Sequence, residues 1–237
     1  MKVAYDLHIH SCLSPCADDE MTPATIAGMG KLIGLNVMAL TDHNTTKNCP
    51  AFFKACEFYG ILPIAGMELT TAEEIHMLCL FPSLESAQSF DSFLDTKRLP
   101  VKNKPDIFGR QYIMDENDTI IDEYPYVLSF ATSLTVDEAI AEINKRHAFI
   151  CPAHIDREAN GMIGILGTVP SDYNFKCVEF KSKDNEAKLR QAHGIKAEHS
   201  LYDSDAHELL SLSESLNFFE IEGDVLNAEV VLRSLGL

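Results

Sequence analysis

Apolar and polar positions alternate over residues 2–10, the period-two pattern of a strand. Thr22-Pro23 then reads as a helix start, with Thr as N-cap and Pro at the first helical position. Ile26, Met29 and Ile33 recur at helical spacing, and Gly34 is placed to end that helix. Residues 37–40 form an apolar run of buried-strand length. A second helix is expected near Pro50, burying Phe52, Cys56 and Tyr59 and stopping at Gly60, followed by a strand over 61–68. Strand, helix, strand, helix, strand at this spacing predicts βαβ units, hence an α/β fold built on a parallel sheet.

The unit recurs downstream. Thr135 and Glu138 form a capping box ahead of a helix with Val136, Ala139, Ile140 and Ile143 on one face. Apolar runs at 148–153 and 177–180, an extended approach to Asp205, a strand at 217–221 and a helix at 224–233 complete the pattern. The middle is less regular: residues 111–124 predict a hairpin turning at 115–118. We read one domain over 1–237, with an inserted loop or hairpin at about 83–130.

Composition narrows the setting. The chain is 46% hydrophobic, enough for a substantial core, yet no apolar run reaches the ~18–20 residues of a membrane span. The first residues show neither the apolar stretch nor the cleavage site of a signal peptide, so a cytoplasmic location is expected. The 7 cysteines follow no disulfide framework and no paired zinc spacing. The net charge of −17 disfavours a stable complex with long nucleic acid. Small phosphorylated substrates and short oligonucleotides remain open as partners. Against that acidity stand two basic clusters, one at Lys97, Arg98, Lys102, Lys104 and Arg110, the other at Lys181, Lys183, Lys188 and Arg190.

The histidines change the picture most. His8 and His10 are two apart at the end of the first strand, so both imidazoles can face one ion. Asp42-His43 ends the second strand and Glu68 the third; His76 begins the next apolar run and His154 follows another. Asp205 and His207 repeat the two-residue spacing. In barrels of parallel strands the C-terminal strand ends share the face on which active sites assemble. His147, His193 and His199 lack this context. So many candidates exceed the needs of one ion and point to two or three, and mixed imidazole and carboxylate donors suit Zn, Mn or Fe. Clustered ions of this kind serve phosphate-ester hydrolysis.

These segments, from Asp6-Leu7-His8-Ile9-His10 through Leu40-Thr41-Asp42-His43, Gly66-Met67-Glu68, His76 and Pro152-Ala153-His154 to Ser204-Asp205-Ala206-His207, resemble the PHP family, named for polymerase and histidinol phosphatase domains. The resemblance implies a distorted (β/α)7 barrel of the PHP type with a trinuclear metal site. Carried over position by position, it implies His8, His10, His43, Glu68, His76, His154, Asp205 and His207 as ligands. A ninth is expected just before the Thr-Pro helix start. Asp18 fits that distance, although the segment is longer than the family's usual Ser-Asp-Gly, and Cys16 and Asp19 are alternatives. Asp42 is expected to orient an imidazole or a water at the catalytic centre, and Arg157 to clamp a substrate phosphate.

The function expected on these grounds is a metal-dependent phosphoesterase acting on small metabolites or nucleotides through a metal-bound hydroxide. A 5'-3' exonuclease on short oligonucleotides and a non-catalytic accessory domain are the alternatives.

Overall fold

A computed structural model describes residues 1–213, 217–221 and 223–237. The first half follows the expected alternation. Strand β1 (Lys2–Ile9) leads to helix α1 (Pro23–Ile33), strand β2 (Val37–Leu40), helix α2 (Cys49–Tyr59) and strand β3 (Leu62–Thr70). Thr22 caps α1 through its side chain, and Gly34 and Gly60 end the two helices in the left-handed conformation. The second half comprises β4 (His76–Phe81), α3 (Leu84–Leu94), α4 (Pro105–Phe108), β5 (Tyr112–Met114), β6 (Ile120–Glu123), α5 (Val136–Asn144) and β7 (Phe149–Pro152). It continues through α6 (Met162–Leu166), β8 (Cys177–Glu179), α7 (Glu186–His193), β9 (His199–Leu201), β10 (Asn217–Glu220) and α8 (Ala228–Ser234). The last helix starts later than 224 because Asn227 supplies its cap.

The expected parallel sheet is only partly found. Strands β1, β2 and β3 are parallel, as are β8 and β9, but β4 runs antiparallel to both β3 and β7, and β10 antiparallel to β1. The connection from Thr70 to His76 is too short for a crossover, which takes a dozen or more residues, so the strand must fold straight back. The barrel nevertheless closes. Ile155 N–H bonds the Glu179 carbonyl, linking β7 to β8, and Ala206 pairs with Ile9, linking the segment after β9 to β1. Seven staves, β1-β2-β3-β4-β7-β8-β9, form a distorted PHP-type α/β barrel.

Alternate side chains separate two cores. Met38, Leu40, Met67, Cys79 and Phe81 face the helices, meeting Ile26, Phe52, Phe90 and Ile143. Val3, Tyr5, Leu7, Val37, Ile64, Leu78, Leu80, Phe149 and Cys177 fill the interior together with Val231 and Leu232 of α8. Strict alternation along β1 would turn His8 and His10 toward the helices, since Val3, Tyr5 and Leu7 point inward. A register shift between Asp6 and Ile9 prevents this: Ile9 joins the helix-facing core and the histidine pair turns inward. The irregularity is satisfied locally, with Leu7 N–H donating to Asp203 Oδ1 at 2.7 Å.

Within the stretch at 83–130, α3 belongs to the barrel wall, its Ala87, Phe90 and Leu94 lying in the helix-facing core. The irregular part begins after it. Its hairpin β5–β6 has the expected turn, where Asp115 Oδ1 accepts from the N–H groups of Asn117 and Thr119. Leu128, Tyr124 and Ile113 pack on Leu13, and Asn48 ties Met114 and Tyr112 to Ser11, so this strap lies across the loop after His10. Arg98 is a structural member of it, bonded to Asp91, Asp95 and the Asn44 carbonyl. Arg190 likewise binds Glu186, Ser200 and the Ala197 carbonyl. Neither basic cluster is thus a continuous free cationic surface. Among the described residues no helix is long and apolar enough to cross a membrane.

Candidate metal centre

All eight of the family-type ligand positions meet at one end of the barrel. His8 and His10 leave β1, His43 follows β2, and Glu68 lies near the end of β3. His76 is the first residue of β4, and the reversal of that strand brings its beginning to the end where its neighbours finish. His154 follows β7, and Asp205 and His207 lie beyond β9. His154 (φ 27°) and Asp205 (φ 53°) adopt backbone conformations that non-glycine residues rarely occupy. Such conformations cost about 1–3 kcal/mol each and persist at sites where the surroundings over-determine them.

Glu68 is the hub. Its oxygens lie 2.7 Å from His76 Nδ1, 2.8 Å from His154 Nε2, 3.0 Å from His43 Nδ1, 3.2 Å from His10 Nε2 and 3.4 Å from His8 Nε2. Asp205 Oδ1 lies 3.3 Å from His10 Nε2 and 3.5 Å from His8 Nε2. Three overlapping groups offer donors close enough to share an ion: His10, His43 and His207; His8, His10, Glu68 and Asp205; His43, Glu68 and His76. His154 stands outside these groups but touches Glu68. Asp18, Cys16 and Asp19 are exposed, and none belongs to a group. Asp18 is held through its N–H by the His207 carbonyl, whereas the Cys16 side chain lies beside His43.

The orientation of the rings fits cations. His8 Nδ1 is anchored on both oxygens of Glu179 at 2.9 and 3.0 Å, His10 Nδ1 on the Ser14 hydroxyl and His207 Nδ1 on the Asp205 carbonyl. A ring that donates from Nδ1 presents its Nε2 lone pair inward. His8 Nε2 and His10 Nε2 consequently face each other at 3.2 Å, an arrangement that needs a proton or a cation between them. Asp205 Oδ1 is a buried acceptor without a hydrogen bond. Donor geometry and donor chemistry both suit a divalent ion bound by imidazole and carboxylate.

The close packing of imidazole and carboxylate shifts the acid–base behaviour of both. Burial disfavours the charged form of His10, but contacts with Asp205 and Glu68 outweigh it and raise its pKa to about 9. At His43 burial is likewise overcome, chiefly by Glu68, and the pKa rises to about 9. His8 is raised well above the usual imidazole value, against burial, by Glu179, Glu68 and Asp205. Glu68 is held far below the usual carboxylate range: burial opposes this, and His76, His8 and His43 outweigh it. His207 moves the other way, to about 3, through burial and the neighbouring His10.

Asp42 is fully buried and does not touch the inward ring atoms. It accepts from Ser11 N–H, Ser11 Oγ and Ser14 Oγ, each at 2.7 Å, and so bears on His10 through Ser14. Arg157 stands at the mouth, 44% exposed, with Nη1 2.8 Å from Asp205 Oδ2. Glu179 was missed at the level of sequence. It also accepts from His154 N–H at 2.8 Å, which makes it a brace for two ligand positions. Its signal was present, a carboxylate closing an apolar strand run just as Glu68 does. Ser14 gave no comparable signal.

A family model described as PHP domain matches residues 6–228. No curated protein matches the chain by sequence. Among solved structures, the lesion-specific endonuclease PfuEndoQ from Pyrococcus furiosus superposes with a TM-score of 0.70 at 23% identity, covering 99% of this chain and 56% of that one. A complex of Endonuclease Q with a 27-mer duplex bearing an abasic lesion gives 0.70 at 21% identity, with the same coverages of 99% and 56%. This chain thus spans little more than half the length of those two. A protein assigned as a metal-dependent phosphoesterase from Bifidobacterium adolescentis gives 0.56 at 17% identity, covering 98% of this chain and 96% of that one. With ligand positions, barrel closure and family model in agreement, the chain belongs to the PHP domain family.

Proposed function

We propose that this protein hydrolyses phosphate esters with two or three divalent ions, drawn from Zn, Mn and Fe, bound among His8, His10, His43, Glu68, His76, His154, Asp205 and His207. The observation that carries this is the contact of one carboxylate, Glu68, with five imidazoles at the strand-end mouth of the barrel. Bound ions would supply an acidified water and charge stabilisation for the phosphoryl oxygens. The chain's own residues do the positioning. Glu179 and Ser14 fix the rings of His8 and His10, and Asp42 holds Ser14. Arg157 is placed to exchange its partner Asp205 for a phosphoryl oxygen. The ninth ligand place falls to Asp18 in our family-based proposal, and the position of the Cys16 side chain beside His43 supports Cys16 as the alternative.

A second reading, cleavage of nucleic acid, is favoured by the superposition on a lesion-specific endonuclease. The net charge of −17 argues for short oligonucleotides over long duplexes in that case. The test is product release by protein loaded with Mn, Zn or Fe(II), offered phosphomonoesters, a phosphodiester and short oligonucleotides. Metal-dependent turnover that disappears in His8→Ala is expected, and the preferred substrate separates the two readings. Failure of the chain to bind any of the three metals would overturn both.

A further inference from the structure

Two half-buried phenylalanines, Phe108 and Phe130, stand outside all three hydrophobic clusters and meet edge to face, with centroids 5.5 Å apart and planes at 83°. Their backbones are tied to the segments flanking the His43 site, from two directions. The Phe130 carbonyl accepts from Asn44 Nδ2 at 3.0 Å, and Asn44 follows His43 in the chain. Asn44 is itself immobilised, its N–H on the Glu68 carbonyl and its Oδ1 on Thr70 N–H. Phe108 precedes Gly109, whose backbone (φ 91°) approaches Pro15 so closely that a β-carbon there would lie 2.1 Å from the Pro15 carbonyl oxygen. Cys16, the next residue, has its side chain beside the His43 ring. The aromatic pair therefore occupies the rim of the metal centre on the side of β2.

Cations occupy another part of the rim. Arg157 Nη1 contacts Asp205 Oδ2, and Lys181 Nζ reaches the neighbouring Ser204 carbonyl at 3.2 Å. Between these two parts lies His207, with ring centroids 4.2 Å from His10 and 6.1 Å from His43. Along its rim the mouth thus offers two cations, a set of side chains able to hold a metal and a half-buried aromatic pair.

We propose that the ester's alcohol portion is a nucleoside, with its base stacked on Phe108 and Phe130 while its phosphate lies toward Arg157 and Lys181. This rests on the phosphoesterase reading for the position of the phosphate. Phenyl faces accept any base, so the pair confers a preference for a nucleotide without selecting among bases. Stacking on a protein aromatic changes affinity by about tenfold or more.

The experiment is equilibrium binding of adenosine monophosphate and ribose 5-phosphate to the metal-loaded full chain, two probes with the same phosphate and sugar and only one base. Adenosine monophosphate should bind at least about tenfold tighter. Phe108→Leu and Phe130→Leu, which keep an apolar side chain of similar size, should bring the two probes within about twofold, and Phe108→Trp should keep the gap. Equal binding of the probes to the unsubstituted protein, no binding of adenosine monophosphate, or a gap retained in both Leu variants would overturn the inference. Hydrolysis is read separately: equal turnover of both probes leaves the phosphoesterase reading standing without the base site. Tight, base-dependent binding without turnover does the reverse.

Discussion

At the scale of single residues, the centre depends on side chains that never face the ions' positions. Glu179 is the clearest case, since one carboxylate fixes the His8 ring and the His154 backbone at once. Glu179→Gln keeps the shape but loses the charge, and should weaken metal binding about 10- to 100-fold, measured by competition with a chromogenic chelator. Unchanged affinity would mean that His8 is held by packing alone. The clustering of the candidate ligands was legible because strand ends advertise it: each histidine or carboxylate stands at an end of an apolar run. Asp42 was singled out as well, but Ser14, through which it bears on His10, illustrates what was not. Their effect on His10 runs through hydroxyl contacts between loops 28 residues apart, and no spacing rule encodes that.

At the scale of elements, the cap and stop residues announced α1, α2 and α5 accurately, because those interactions are local. The direction of β4 was missed by treating every strand as one of a βαβ series, although the short link from Thr70 to His76 excluded a crossover. The bulge in β1 was not legible at all, since it depends on Asp203 reaching Leu7 from the far end of the chain. Helix α7 carries a testable pH dependence. Glu186 joins it to β9 by accepting from Ser200, Tyr202 and Arg190. Burial opposes ionisation there, and these bonds outweigh it, so the pKa is lowered. A folded value below the unfolded one stabilises the fold above the unfolded pKa and is lost as pH falls through the folded value. Glu186→Gln should therefore lower stability at pH 7, with the difference from the parent shrinking below about pH 4. Urea titrations at the two pH values measure it, and a pH-independent difference would refute the ionic contribution.

At the scale of the whole molecule, the proposed metal binding follows the acidity of the chain. The chain carries 36 acidic against 19 basic residues, and its mouth concentrates carboxylate beside imidazole. An ion that binds the folded state alone stabilises it in proportion to the logarithm of its concentration over Kd, about 4 kcal/mol at a thousandfold excess. Chelation should accordingly lower the melting temperature by several degrees, about 2–4 °C per kcal/mol for a chain of this size, as read by calorimetry. An unchanged melting temperature on removal of bound metal would contradict a preformed centre.

The pairing of Ala206 with Ile9 joins the first ligand segment to the last. Consider the chain as it leaves the ribosome: His8 and His10 emerge before the other donors, yet the carboxylate that completes their group, Asp205, follows almost 200 residues later. No shortened product ending before that point can close the barrel or assemble the full donor set. Metal retention is in effect a test of whether synthesis ran past Asp205, and a fragment of residues 1–200 is expected to lose its ions on dialysis where the whole chain keeps them.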